Sequence, residues 1–161
     1  MEIHMDSFQK RERPGKNKPF WRRKTLAEMT GEEWEAVCDG CGRCCLHKLE
    51  NKETGEISYT GIACCLLDID RCRCKDYPNR TAEENVCLTM TPQNISAFPW
   101  LPKTCGYRLL FEGKELPSWH PLVTGDPESV HQAGISLRNK AVSEAYIDVE
   151  DLSPFIIDID F

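Results

Sequence analysis

Cys38-Asp39-Gly40-Cys41-Gly42-Arg43-Cys44-Cys45 is the stretch on which the reading of the whole chain turns. Four thiols fall within eight residues, three of them at two-residue gaps. Two intervening residues let the backbone wrap so that both flanking sulfurs face one point. Gly40 and Gly42 permit the turn conformations that aim backbone N–H groups at sulfur. Six further cysteines follow, at Cys64, Cys65, Cys72, Cys74, Cys87 and Cys105. In extended backbone neighbouring side chains point to opposite faces, so Cys44 and Cys45 need not serve the same metal. Ten thiols complete two four-ligand sites with two left over, or one site beside a group of buried free thiols.

Spacing leaves the metal open. Cys38-x-x-Cys41-Gly42 is a zinc-ribbon knuckle, but a ribbon pairs it with a second C-x-x-C that is absent here. Three thiols at two-residue gaps with a remote fourth resemble iron–sulfur ligation, without the proline that follows the last clustered cysteine in ferredoxins. Zinc, iron and an iron–sulfur cluster all remain.

Outside the cluster the chain is modest in apolar content. Of 161 residues, 35 are Leu, Ile, Val or Phe, about 22%, close to the level below which chains stay unfolded. A thin core calls for cross-links, and the compartment decides their kind. The first residues, Met1 to Lys10, hold no apolar core of a signal peptide, and no apolar run approaches the roughly 20 residues that span a bilayer. The expectation is a cytoplasmic protein that makes no use of the membrane, its thiols kept reduced for metal rather than paired as disulfides.

Charge divides the chain in two. Residues 1–24 carry a balance of +5 and residues 25–161 a balance of −11, which together give the net −6. The expected organisation is a basic flexible arm over 1–24, its end anchored by Phe20 and Trp21, and a single cysteine-cluster metal-binding domain over 25–161. An acidic domain argues against a broad nucleic-acid surface.

Local signals predict an α+β fold: a small irregular cysteine-rich domain with short helices and a β-hairpin, held together by metal–thiolate ligation. Thr30 and Glu33 have capping-box spacing and open a helix that carries Trp34 and Val37 to the core and runs into Cys38. Residues 46–63 alternate around Asn51-Lys52-Glu53-Thr54-Gly55 and read as the hairpin. Thr81 with Glu84, Thr91-Pro92 and Asp126-Pro127 each look like helix starts. The Ile/Asp-rich tail from Ala145 to Phe161 reads as holding a strand at each end, and Trp100 and Trp119 as core.

Beyond the thiols, Trp119-His120-Pro121-Leu122-Val123-Thr124-Gly125-Asp126-Pro127-Glu128-Ser129-Val130-His131 places two imidazoles on either side of a helix start. The bland reading is that Asp126 caps the helix and both histidines make structural hydrogen bonds; the sharper one is an iron–sulfur redox or group-transfer enzyme using this segment. A third class is a zinc-stabilised interaction module. His47 reads as a hairpin side chain before a ligand, and Asp68 and Asp70 as a solvated strand face. No P-loop and no dinucleotide glycine fingerprint is present.

The cluster, with Arg71-Cys72-Arg73-Cys74-Lys75-Asp76-Tyr77 and Trp119-His120-Pro121-Leu122-Val123-x-Gly125-Asp126-Pro127, resembles the YcgN-type bacterial proteins of the wider CxxCxxCC group of zinc- or iron-chelating domains. The resemblance runs from about Trp21 into the Ile/Asp-rich tail. It implies metal chelation by eight cysteines, Cys38, Cys41, Cys44, Cys45, Cys64, Cys74, Cys87 and Cys105, and brings no established reaction. Cys65 stands where the pattern has Arg, and Cys72 fits only the YcgN-type branch.

Overall fold

Thr30 opens the helix on which the first half of the chain is built. In the computed structural model, which describes residues 17–82, 87–148 and 150–158, its hydroxyl accepts the Glu33 N–H at 3.2 Å and the Glu33 carboxylate accepts the Thr30 N–H at 2.8 Å. Helix α2 then spans Gly31–Ala36. Six residues are too few to hold a helix in water, so its stability comes from what it buries. Trp34 and Val37 are buried; the Trp34 ring lies 4.5 Å from that of Tyr107 and its Nε1–H donates to the Met90 carbonyl. Ahead of it α1, Phe20–Arg23, packs Phe20 on the same cluster.

The hairpin forms where the alternation predicts it. Strand β1, Leu46–Glu50, pairs antiparallel with β2, Ile57–Ala63. Asn51 Oδ1 accepts the N–H groups of Glu53 and Thr54, and Gly55, at φ +71°, closes the turn. A short β5, Val142–Ser143, joins β2 in parallel, giving the order β1-β2-β5. Strands β3, Leu67–Asp68, and β4, Arg73–Cys74, make a separate two-stranded ladder. Three more short helices follow the hairpin half: α3 Gly106–Phe111, α4 Pro121–Thr124 and α5 Ser129–Gln132. The fold is therefore α+β, with short helices and small mixed sheets.

Burial divides into two small apolar clusters. One joins Leu46, Tyr59, Ala63, Leu67, Cys72 and Leu137 on the hairpin side; the other joins Trp34, Val37, Ile95, Leu101 and Tyr107 on the helical side. Trp100 packs against both. The cysteine stretch runs between them, with Cys38 against the helical cluster and Cys45 against the hairpin cluster. No helix among the described residues is long and apolar enough to cross a membrane.

Several expectations need correction. Thr91-Pro92 starts a turn instead of a helix: the Asn94 side chain accepts the Thr91 N–H, and a 3-10 turn follows only at Ile95–Ala97. The described part of the 145–161 tail holds no strand. Strand β5 lies just before it, 3-10 turns occupy Glu144–Tyr146 and Ser153–Phe155, and Ile156 makes a single bridge to Thr60. Trp100 and Trp119 are half-buried, and Trp34 and Tyr107 take the core positions. Asp68 lies at the end of β3 and caps the turn after it, accepting the N–H groups of Asp70 and Arg71. Asp126 accepts the Glu128 N–H in the turn ahead of α5, but the helix starts at Ser129 with Glu128 as its N-cap and no side-chain cap hydrogen bond. Glu84 lies outside the described residues.

Candidate metal centre

The knuckle is built by backbone chemistry that its residue types dictate. Gly40 and Gly42 take φ values of +76° and +78°, a left-handed region that a Cβ disfavours. The chain thereby turns twice in five residues, the Gly40 N–H faces the Cys38 sulfur, and the Arg43 N–H faces the Cys41 sulfur. Asp39 Oδ1 accepts the Cys41 N–H at 2.9 Å, and the Cys45 N–H closes a 3-10 turn on the Gly42 carbonyl. Cys105 reaches this loop from the other half of the chain. It precedes α3, whose Tyr107 and Arg108 N–H groups face its sulfur. Close approach is possible because the next residue is Gly106: a Cβ there would lie 2.4 Å from the Val37 carbonyl oxygen.

Electrostatics sorts the thiols. Burial pushes Cys38 up to about 12, and Asp39, Cys44 and Cys105 add to the shift. Cys105 is likewise pushed up to about 12, by burial first and then by Asp39 and Cys44, against the pull of the α3 N–H groups. Cys41 is raised well above the usual thiol range by burial, Asp39 and Cys44. Cys44 goes the other way, down to about 7, because the Cys45 thiol donates to it and Lys48 stands beside it. Cys45 is raised as that donor, then by burial and by Cys44, Cys87 and Cys64. Burial raises Cys87, whose thiol neighbours are Cys44, Cys74 and Cys64.

Apart from the Cys45 thiol, which favours the Cys44 thiolate, the sulfurs, Cys44 above all, make their neighbours harder to ionise, a condition that a divalent cation relieves. Asp39 adds a second sign. The residue is only 4% exposed, and its Oδ2 has no hydrogen-bond partner among the described residues. A buried carboxylate oxygen so placed is costly without a compensating positive charge. The donor set, soft thiolates with N–H groups turned to sulfur, fits zinc or iron.

The other singled-out residues have different surroundings. Cys64 accepts the Leu66 N–H at 3.4 Å, and Cys74 ends β4 opposite Leu67. Cys72 is buried in the hairpin cluster, its S–H turned to the Ile69 carbonyl. Cys65 is exposed, with its N–H on Glu144 Oε1. His47 pairs with the other Glu144 oxygen. His120 is fully buried: Nε2–H donates to the Val37 carbonyl and Nδ1 accepts the Leu122 N–H, so neither nitrogen is left for proton transfer. His131 bonds Ser136. The enzymatic reading of this segment draws no support from these contacts.

Three residues near the thiols escaped the sequence reading. Lys48 donates to the Cys44 carbonyl and lies 4.4 Å from the Trp100 ring centroid; its place four residues after Cys44 was the available signal. Asp39, inside the first C-x-x-C, had the signal of position alone. Glu144 had none, since its contacts with Cys65 and His47 span 79 and 97 residues.

Residues 37–106, which take in all ten cysteines, match the CxxCxxCC family model, described as "putative zinc- or iron-chelating domain". A UPF0260 protein of Allorhizobium ampelinum is 55% identical over 142 residues, 88% of this chain and 89% of that one. UPF0260 proteins of Sinorhizobium fredii and Caulobacter vibrioides are 55% and 57% identical over 139 and 140 residues, each match covering 86% of this chain and 90% and 86% of theirs. No solved structure matches significantly. The chain belongs to the UPF0260 family of bacterial proteins, with a cysteine cluster of the zinc- or iron-chelating CxxCxxCC type.

Proposed function

We propose that the chain holds zinc or iron in two sets of four thiolates: Cys38, Cys41, Cys44 and Cys105, and Cys45, Cys64, Cys74 and Cys87. The observation that carries this reading is the division of thiol neighbours. Beyond burial, Cys38, Cys41 and Cys105 are each raised by Cys44, whereas the thiols acting on Cys45 and Cys87 include Cys64, and Cys74 acts on Cys87. The division falls between adjacent Cys44 and Cys45, which lie on the 3-10 turn Arg43–Cys45 and not in extended backbone. Cys44 also acts on both Cys45 and Cys87, ahead of the other thiols, so the two sets adjoin at Cys44.

Metal in the first set ties the end of α2 to the start of α3; metal in the second ties the hairpin to the β3–β4 ladder. Each structural site adds roughly 10 kcal/mol of folding free energy. The metal-binding domain covers 25–161, with 1–24 as a basic arm anchored by Phe20, and the protein works in the reducing cytoplasm, where ten free thiols persist. Its partner is the metal ion itself, not nucleic acid.

The test is purification without oxygen or added metal, followed by zinc, iron and sulfide analysis. Stoichiometric zinc in a colourless protein gives the zinc form; iron with equal sulfide and a brown colour gives the cluster form. A chain that purifies with neither metal, and binds neither tightly on reconstitution, overturns the reading.

A further inference from the structure

Cys65 lies outside both thiolate sets, yet its sulfur has company. The Cys65 and Cys64 sulfurs and a Glu144 carboxylate oxygen all lie within 4.8 Å of one another. They come from distant parts of the chain. Parallel pairing of β2 and β5 sets Ala63 opposite Ser143 and so brings the residues that follow each strand side by side. Glu144 is fixed on two sides, by the Cys65 N–H at 2.8 Å on Oε1 and by His47 on Oε2. Lys75 donates to the Cys65 carbonyl and holds the same turn.

The donors are graded from water inwards. Cys65 is exposed, the Glu144 side chain is 35% exposed, and Cys64 is half-buried. Two sulfurs and a carboxylate with solvent on one side are the three-ligand, open kind of site at which borderline metals exchange. The all-sulfur set that shares Cys64 is itself half-buried, with Cys87 exposed, and differs by offering four soft donors in place of two. Cys64 belongs to both arrangements.

We propose that Cys65, Glu144 and Cys64 form a solvent-facing capture site for zinc or iron(II), from which the ion passes through the shared Cys64 to the four thiolates of Cys45, Cys64, Cys74 and Cys87. The inference rests on that set. Capture displaces the thiol protons to water, and the transfer exchanges the Cys65 and Glu144 donors for the thiolates of Cys45, Cys74 and Cys87, whose protons also pass to water, with no change of oxidation state.

Loading kinetics test it. Reduced, metal-free protein is mixed with Zn²⁺ in excess, and thiolate-to-metal absorbance is followed without oxygen, with metal per chain measured at the end. Cys65→Ser and Glu144→Gln should fill the second set about tenfold more slowly than wild type, since even an outer partner of a metal site is commonly worth that much. Their final metal content should equal that of wild type, while Cys64→Ser should lose about half of it. Glu144→Asp, which keeps a carboxylate, should recover part of the rate. Wild-type rates in both Cys65→Ser and Glu144→Gln would overturn the capture site and leave the thiolate sets standing. A Cys65→Ser protein as depleted as Cys64→Ser would overturn it too, by making Cys65 a permanent ligand. A wild-type chain that takes up no zinc would overturn the sets and the capture site together.

Discussion

A methyl group at Gly106 would meet the Val37 carbonyl oxygen at 2.4 Å and His120 Nε2 at 3.0 Å, neither of which can yield cheaply. Val37 follows the last residue of α2 and directly precedes Cys38, and Gly106 begins α3 directly after Cys105. The contact therefore sets the approach of two proposed ligands that lie far apart in sequence. Gly106→Ala should destabilise the metal-free protein by about 1–3 kcal/mol, the usual range for overpacking. It should also weaken metal retention by the first set; denaturant midpoints with and without chelator would measure both effects. His120, in the same contact, predicts a pH dependence. Burial holds its pKa below the usual histidine value, against the opposing pull of its Val37 hydrogen bond and of Asp39. The unfolded chain therefore binds the proton more readily, so the contribution of neutral His120 is fully present above about pH 6.5 and is lost as pH falls through the lower folded value. Thermal midpoints of metal-free wild type should drop faster than those of His120→Gln between about pH 7.5 and 5.5. Parallel curves would remove His120 as the cause.

At the scale of elements, the knuckle depends on two left-handed glycines. At Gly42 a Cβ would make ordinary contacts, 3.5 Å from Cys72 Cβ and 3.6 Å from Leu137 and Leu67, so Gly42→Ala costs mainly the φ of +78°. Gly113, at φ +72° with nothing within 4 Å, is the matched control. Both alanine variants should lose about 1–2 kcal/mol, read as unfolding midpoints of the metal-free protein, but only Gly42→Ala should lose metal. Elements with self-contained signals were legible in the sequence. The Thr30–Glu33 box and the Asn51 turn each close their own hydrogen bonds within a few residues, and so α2 and the hairpin stand where they were expected. Thr91-Pro92 misled because the Asn94 side chain takes the Thr91 N–H and begins a turn that the proline equally suits. The tail misled because Ile and Asp alternate there as in a strand. Among the described residues the pairing to β2 is a single bridge from Ile156 to Thr60 and the Ile157 N–H donating to the Tyr59 carbonyl.

For the molecule as a whole, two small apolar clusters flank one loop of cysteines, and neither cluster is large. The identity of the loop as a thiolate centre was readable because its spacing is local. The division proposed for it was not: the Gly106 contact brings the residues next to Cys38 and Cys105 together, and Cys72 lies in the hairpin cluster at φ +54°. Neither placement has a signature shorter than the fold itself. Metal bound on both sides of the loop would then be the main tie between the clusters. The most direct measurement of this account is metal per chain in single variants purified without oxygen or added metal. Cys105→Ser and Cys87→Ser should each retain about half the wild-type content, since a hydroxyl that stays protonated replaces a thiolate in one set only. Cys72→Ser should retain all of it. Full metal content in both Cys105→Ser and Cys87→Ser, or a Cys72→Ser protein as depleted as they are, would contradict the division into two sets.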